Sequence, residues 1–533
     1  MDSVDKKKNR LKAVFVLLAS FTCIVGLNIQ KTKHFWGDTE QNVLITCLHV
    51  ILLTLAFLVA DYFRIKSKLL LSYRDDQERN FNYKKYSFLL IAVHIVILIA
   101  YYPGISNFDT GMQIGDFLDG TTTFVYHEGG KAHITAFLND HHPVLTTFIF
   151  SFFILIGRAL GSERLGFFIY TVLQCGLFVY AYVFVLRLFD RSKNGTIQLI
   201  AGFYVLNRLL AYFAITMLKD SLFSALFLIY CVLYIKFVNK QRVSTGEKDI
   251  IAWIILSILL PLCKKTGIYV VLFSNTVLLV QDVATHASKK DLITKAGGLL
   301  LPAVLMFFVL PKIIFPACNI YPGGKQEVLA TLFQQTVRTA IDHPEAYSEE
   351  ERVVLNRVID FDSATERYDY DLTDPIKNTY KLETVTQDDL SAYYKIWLRT
   401  GLKFPVSYLE ATIGTCGGYF SPTVKLNPYK FNVAYEMTPK APLVFLRKMI
   451  MSFYDLISLI PGINLMRYIV FYSWWLPLIG LYLSISKKGW KGVIGHAPFI
   501  ITVLILIVCP YSTSRYALPL VIATPVILFE SYV

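Results

Sequence analysis

Three short polar clusters interrupt an otherwise apolar chain, and each carries residue types that can do acid–base or anion chemistry. The first is Tyr101-Tyr102-Pro103-Gly104-Ile105-Ser106-Asn107-Phe108-Asp109-Thr110-Gly111-Met112-Gln113. It places Asp109 just beyond an apolar stretch, in a loop that Pro103 and Gly104 begin. A carboxylate at a membrane boundary can take a proton from a hydroxyl, because burial beside lipid raises its pKa. It can equally be a capping or solvated loop acid. The second cluster is Asn139-Asp140-His141-His142-Pro143. Two imidazoles and a carboxylate can bind a metal or a phosphate. Taken alone, the motif fits better a plain helix start, with Asp140 as cap and Pro143 in the first turn. The third is Lys219-Asp220, a pair that can bind a ligand or merely cap a helix and anchor it at the interface. Lys264-Lys265 and Arg515-Tyr516 add cations at further breaks between apolar stretches. They fit an anionic ligand such as a lipid phosphate, with snorkelling as the plainer account of either lysine alone.

Positioning these clusters is the work of membrane helices. Of the 533 residues 54% are hydrophobic and 17% charged, and the mean hydropathy is +0.48. A soluble chain would carry about a quarter charged residues. The apolar residues come in blocks long enough to cross a hydrocarbon core of about 30 Å as helices, the form that satisfies its own backbone in lipid. The blocks predict spans at 11–29, 43–60, 86–102, 165–186, 197–217, 221–238, 250–263, 267–281, 297–315, 467–485, 493–509 and 515–531. The fold class expected is therefore an all-α polytopic membrane protein of about twelve spans. The basic cluster from Lys6 to Lys12 precedes the first block without a small-residue cleavage site, and reads as a signal anchor.

The net charge of +13 gathers in short loops between blocks, the positive-inside pattern, so no nucleic-acid partner is needed to explain it. Both termini and the loop 61–85 are expected in the cytoplasm. The stretch 103–143, whose sole Lys or Arg is Lys131, is expected outside. If the apolar segment 144–160 lies on the outer surface as a juxtamembrane helix, the basic loops 187–195 (with Arg187, Arg191 and Lys193), 239–249, 281–295 and 487–491 all fall inside.

Four regions follow: 1–85, an N-terminal pair of helices with a cytoplasmic loop; 86–316, a transmembrane core with an outer loop at 103–164; 317–449, an extracytoplasmic region; and 450–533, the C-terminal helices. The outer region has an acidic centre and helix signals at 326–341, 348–358 and 388–402, the second opened by a Ser348/Glu351 capping box. Segments this long are usually functional. Cys318 and Cys416 both fall within it, and a disulfide between them is possible. The other cysteines sit singly in apolar blocks as packing residues, and no cysteine spacing matches a metal site.

In order and spacing the clusters resemble the GT-C superfamily of membrane glycosyltransferases. Asp109 follows an early helix, His142-Pro143 opens a juxtamembrane helix, Asp220 begins a later helix in Ile-Thr-Met-Leu-Lys-Asp-Ser-Leu-Phe, and Ser514-Arg515-Tyr516-Ala517-Leu518-Pro519 resembles the Arg-Tyr-x-x-Pro before a final span. The layout is similar to lipid A aminoarabinose transferases and protein O-mannosyltransferases, and also resembles a family of bacterial multi-pass proteins of the same build. That second likeness extends into the outer region at Asp374-Pro375-Ile376-Lys377 and Pro405-Val406-Ser407-Tyr408-Leu409. The first two helices look like an addition to the usual core.

The resemblance implies transfer of a sugar from a polyprenyl-phosphate donor to a glycan or glycolipid acceptor outside the plasma membrane. Asp109 would be the general base, with His142 and Asp220 orienting it or the acceptor. Arg515, Lys264, Lys265 and Lys219 would bind the donor phosphate, and Gln113 and Tyr516 the substrate. The aromatic residues Tyr368, Tyr370, Tyr393, Tyr394 and Trp397 would stack the acceptor sugar. Asp109 is followed by Thr110 where a paired acid would favour a divalent cation, so a divalent cation stays open as a cofactor but is not favoured. Two rivals stay open: a polysaccharide polymerase or ligase using lipid-linked sugars through basic groups, and a flippase-type transporter. Transporters place ionisable residues mid-membrane, whereas here they gather at one face.

Overall fold

The computed structural model describes residues 3–35, 39–67, 82–119, 122–123, 135–190, 194–239, 246–426, 432–435, 440–460 and 462–532. Residues 68–81 of the basic loop, Lys131, and Arg191 with Lys193 lie outside the described residues. The chain is an all-α membrane protein. Among the described residues seven helices are long and apolar enough to cross a membrane, or eight if one bent pair forms a single span. Among the described residues the β structure consists of three pairings of two-residue strands and three isolated bridges.

The membrane region begins with α1 (Ser3–Thr32), α2 (Thr39–Ser67) and α3 (Tyr83–Ala100), the last capped by the Asn82 side chain, which accepts from the Lys85 N–H. The short amphipathic α4 (Phe108–Asp119) follows, then α5 (Val144–Ala159) and α6 (Glu163–Leu186). The segment expected at 144–160 is thus a 16-residue apolar helix, folded back on α6. Gly157 and Gly166 let the two backbones touch: a Cβ on Gly157 would stand 2.6 Å from the Ser162 carbonyl oxygen and 2.7 Å from the Gly166 nitrogen.

The block 197–217 is not one straight helix. It is α7 (Asn194–Leu206) and α8 (Arg208–Ala214), bent by 64°. Asn207 sets the break, because its side-chain oxygen accepts from the N–H groups of Leu209 and Leu210 at 3.1 and 3.3 Å. That is an N-cap placed inside an apolar run. Next come α9 (Lys219–Val238), α10 (Glu247–Cys263), α11 (Gly267–Ala284) and α12 (Lys289–Val304). The last continues as a π-helical stretch, Leu305–Ile314, into α13 (Phe315–Ala317). Pro302 and Pro311 supply no N–H there, which favours a widened turn.

Helix α9 is the axis of the bundle. Phe227, Leu228, Tyr230, Cys231, Tyr234 and Ile235 are fully buried, so its first residues, Lys219 and Asp220, are held on a rigid post. A polar knot ties α9 to α10, α11 and α12: Tyr230 donates to Asn275 at 2.7 Å, and Asn275 donates to Ser257 and to the Gly298 carbonyl. Such bonds fix helix packing where lipid offers no alternative partner.

The region expected outside, called the outer region from here on, contains α14 (Gln326–Asp342), α15 (Glu349–Val358), α16 (Phe361–Glu366), α17 (Asp374–Lys377), α18 (Gln387–Lys403) and α19 (Pro405–Cys416). The three expected helices are present within a residue or two, and the Ser348/Glu351 capping box is formed. Phe333, Val337, Leu355, Val358, Ile359, Ile376 and Tyr393 make a core of its own. Cys318 and Cys416, left open as a possible pair, form no disulfide: Cys318 is exposed, Cys416 is buried, and both are free. Helix α20 (Ala441–Ile457) runs through the expected boundary at 449/450. A π-helical turn, Phe471–Trp475, leads to α21 (Leu476–Lys488) and α22 (Ala497–Ile507), followed by α23 (Ser514–Ile522) and α24 (Thr524–Tyr532).

Helix α1 is packed into the body rather than appended to it. Gly26 lies against Gly417, and Trp475 donates to the Cys23 sulfur at 3.2 Å. Beyond its end, buried Arg338 of α14 donates to the Lys33 carbonyl at 3.1 Å and pairs with Glu410 at 2.6 Å and Asp342 at 2.7 Å. Glu410 in turn accepts from the Phe35 N–H at 2.7 Å.

Candidate functional site

Asp109 sits in the first turn of α4, where a negative charge suits the helix dipole. Asn107 accepts from the Thr110 N–H at 3.0 Å and from its hydroxyl at 2.9 Å, which starts the helix at that point. The chain before it is held on two sides. Ile105 exchanges backbone hydrogen bonds with Ile215 and Met217 at 3.0 and 2.9 Å. Ile105 and Ser106 also pair antiparallel with Val433 and Asn432 of the outer region. Gly104 makes the turn with a φ of +137°, a conformation that L side chains rarely adopt. A Cβ there would also collide with Thr171.

This anchoring brings Asp109 to residues from four distant segments. Arg515, at the start of α23, donates to its Oδ2 at 2.8 Å. The Lys219 ammonium lies 3.6 Å from the same oxygen and 2.7 Å from His142 Nδ1. Beside them Lys264 pairs with Asp220 at 2.5 Å, and Lys265 with Asp140 at 2.7 Å. The Tyr516 ring lies 4.8 Å from the Lys264 ammonium and 4.9 Å from the Arg515 guanidinium, and its hydroxyl accepts from Arg515 at 3.0 Å. Asp109, Lys219, Lys264 and Arg515 are each only 14–17% exposed. Asp220 is buried, and its Oδ2 has no partner. The Arg515 Nε is likewise buried and unpartnered. Within this half-dry recess Lys219, Lys264 and Arg515 face two carboxylates, an excess of one positive charge.

The electrostatics correct one expectation. Burial does push the Asp109 carboxyl upward, but Lys219 and Arg515 outweigh it and hold Asp109 below the ordinary carboxylate range. Burial and the Lys219 charge drive His142 well below the ordinary imidazole value. His142 is therefore neutral, with Nδ1 accepting from Lys219 and the proton on Nε2. Asp140 shifts upward, because burial exceeds the pull of Lys265.

Asp109, His142, Asp220, Lys219, Lys264, Arg515 and Tyr516 come together, with Lys265 at the rim at 43% exposure. Gln113 does not join them. It is fully buried and donates to Thr146 and Thr147 at 2.8 and 3.0 Å, bracing α4 on α5 rather than meeting a substrate. Among the outer aromatic residues, Tyr393 is fully buried in the core of the region. Trp397 donates to Gln335 at 2.9 Å, and Tyr370 lies under Arg338 and Lys33. These rings are engaged in packing, and only Tyr394 is well exposed. Asp140 is an ion-pair partner, and Pro143 holds the N-cap position of α5.

Sequence reasoning missed Glu327 and Lys377. His141, stacked edge-on against His142 at 4.6 Å, lies 3.7 Å from Glu327. Lys377 joins Glu327 at 3.0 Å and Asp374 at 2.8 Å. The outer region thus reaches the recess through the Asp-Pro-Ile-Lys segment, and the N–H of Thr373 just before it donates to the Pro510 carbonyl at 3.1 Å. The unusual Asp374–Lys377 tetrapeptide was the one signal pointing there. Among the described residues no cluster of three His, Cys, Asp or Glu has metal-holding geometry.

Residues 132–532 match DUF6020, a family of unknown function, and the chain belongs to it. The matched stretch includes His142, Lys219, Asp220, Lys264 and Arg515, whereas Asp109 precedes it. No curated protein and no solved structure matches the chain.

Proposed function

We propose that this member of the DUF6020 family is a membrane glycosyltransferase of GT-C-like layout. In this reading it has about twelve spans and cytoplasmic termini, and moves a sugar from a polyprenyl-phosphate donor to a glycan or glycolipid on the extracytoplasmic face. The observation that carries the reading is the junction at Asp109, where Arg515 and Lys219 meet one carboxylate at the bundle end and Lys219 extends the chain to His142. A donor tethered in lipid has its reacting bond at that depth. A recess with one excess positive charge suits its phosphate.

The reaction would run as a direct displacement. The acceptor hydroxyl oxygen attacks the anomeric carbon, the bond from that carbon to the phosphate oxygen breaks, and Asp109 takes the hydroxyl proton. Arg515, Lys219 and Lys264 stabilise the charge growing on the departing polyprenyl phosphate. In the resting site Asp109 is a weak base, since two cations already hold its charge. A donor phosphate drawing on those cations would loosen their hold and raise its basicity, so the base would strengthen when the donor is in place. Neutral His142 fixes the Lys219 ammonium between the two functions. The test is sugar transfer by purified protein in nanodiscs, with polyprenyl-phosphate hexoses and envelope glycans as substrates and released polyprenyl phosphate as the readout. Failure of every lipid-phosphate donor to be cleaved would sink the reading.

The cationic excess and the ion-paired state of Asp109 also favour a second reading, a polymerase or ligase that works through basic groups. That enzyme would keep its activity after Asp109→Asn.

A further inference from the structure

A second recess lies at the same end of the bundle, beyond α8 from the Asp109 cluster. It is a small, partly open cavity of about 80 Å³ between the α7–α8 bend, the end of α20 and the segment 463–467. Its polar wall carries two guanidinium groups. Arg208 makes one 3.2 Å contact with Asp455, and its Nε is buried without a partner. Arg467 donates to the Ser458 hydroxyl at 2.8 Å. Two cations against one carboxylate leave an excess positive charge, and Leu209 and Met466 line the rest with hydrocarbon.

The setting is a lipid boundary. Helix α20 is pinned to the ends of two membrane helices: Arg447 donates to the Ala100 carbonyl that closes α3 at 2.7 Å, and Tyr454 donates to the Val205 carbonyl of α7 at 3.1 Å. Its outward row, Phe445, Met449, Phe453 and Leu456, is 51–66% exposed at helical spacing. An apolar row of that kind on a helix fixed at a bundle end belongs against acyl chains. On that placement the recess would open beside lipid headgroups, with the Arg208 Nε left unsatisfied. Guanidinium pairs suit phosphate geometry.

We infer that this recess binds the phosphodiester headgroup of an anionic phospholipid of the surrounding bilayer, held by Arg208 and Arg467, with its chains along α20. The site is separate from the reaction centre and does not depend on the reaction assigned to it. A bound lipid would tie α20 to the α7–α8 bend, and so steady α8, which leads into the Ile215–Met217 backbone that holds Asp109 in place.

The test uses the full chain, delipidated in detergent and titrated with phosphatidylglycerol, phosphatidylcholine or polyprenyl phosphate under native mass spectrometry. Phosphatidylglycerol should bind about tenfold more tightly than phosphatidylcholine, and Arg208→Gln with Arg467→Gln should abolish that preference. Asp455→Asn removes the competing carboxylate and should strengthen it. Equal binding of the two phospholipids by the unaltered protein would overturn the inference, as would a preference that survives in the double variant. Stronger binding of polyprenyl phosphate, lost in the same variant, would reassign the recess to the carrier lipid. If the double variant fails to elute as a single folded species, Asp455→Asn decides alone, and no gain there counts against the site.

Discussion

Arg515 and Asp109 stand 406 positions apart in the chain and 2.8 Å apart in space. This contact closes the recess, because it joins α23 to α4 across the top of α9. It also makes the two residues separable by experiment, since each has a second set of partners: Tyr516 for Arg515, Lys219 for Asp109.

Asp109→Asn keeps the shape and removes the charge. Sugar transfer should fall by at least about 10²-fold, the lower range for loss of a general base, with donor binding retained. Arg515→Ala should lose donor affinity as well as rate. Single-turnover transfer, with donor binding measured separately, checks both, and an Asp109→Asn variant of full activity would move the assignment to the polymerase or ligase reading.

Acid should destabilise the protein through His142. Its folded value lies well below the ordinary 6.5, so the unfolded chain binds a proton that the folded one refuses. Stability is then fully present above 6.5 and falls as the pH drops below it. Thermal unfolding in detergent from pH 7.5 to 5 should show this decline, and His142→Gln should flatten part of it. A profile identical in the variant would mean that another group carries the dependence.

Arg338 should hold α1 to the outer region. Replacing it with Met strips buried Glu410 of its guanidinium and leaves it the Phe35 N–H and His34, a loss of up to about 3–5 kcal/mol for such pairs. The double change Arg338→Met with Glu410→Leu should recover most of it. Unfolding midpoints of the three proteins decide the matter, and an unaltered midpoint in the single variant would show that the pair adds nothing.

Topology can be read with single cysteines at exposed positions, using a membrane-impermeant thiol reagent on whole cells. Glu349→Cys and Ser162→Cys should react from outside, and His286→Cys should not. A Ser162→Cys protein that stays unlabelled would make α5 a spanning helix and reverse the orientation of the helices that follow.

Much of this architecture was legible because its signals are local. Apolar block length gave α3, α6, α9 and α11, and Ser348 with Glu351 gave the start of α15. The cluster at the bundle end was legible from residue type and order, since Asp109, His142, Asp220 and Arg515 each begin or precede a helix. What stayed hidden depends on distance in the chain. The depressed Asp109 value needs Lys219 and Arg515 beside it. Gln113 looked like a ligand because its partners, Thr146 and Thr147, lie on another helix. The Asn207 break was masked by hydrophobicity on both sides of it. Buried Tyr393 and exposed Tyr394 are neighbours that composition treats alike.

The separation of Asp109 from Arg515 also has a consequence for how the protein is made. At translation rates of about 5–20 residues per second, 406 residues correspond to roughly 20–80 s between their arrivals. Once Lys219 has followed, Asp109 can be neutralised by Lys219 alone until Arg515 arrives, and the recess lacks the guanidinium that gives it its positive excess. A ribosome stalled late in synthesis would leave a nearly complete bundle in the membrane with an open, charge-balanced and inert centre. On the proposed function, the site would be completed only at the threading of α23.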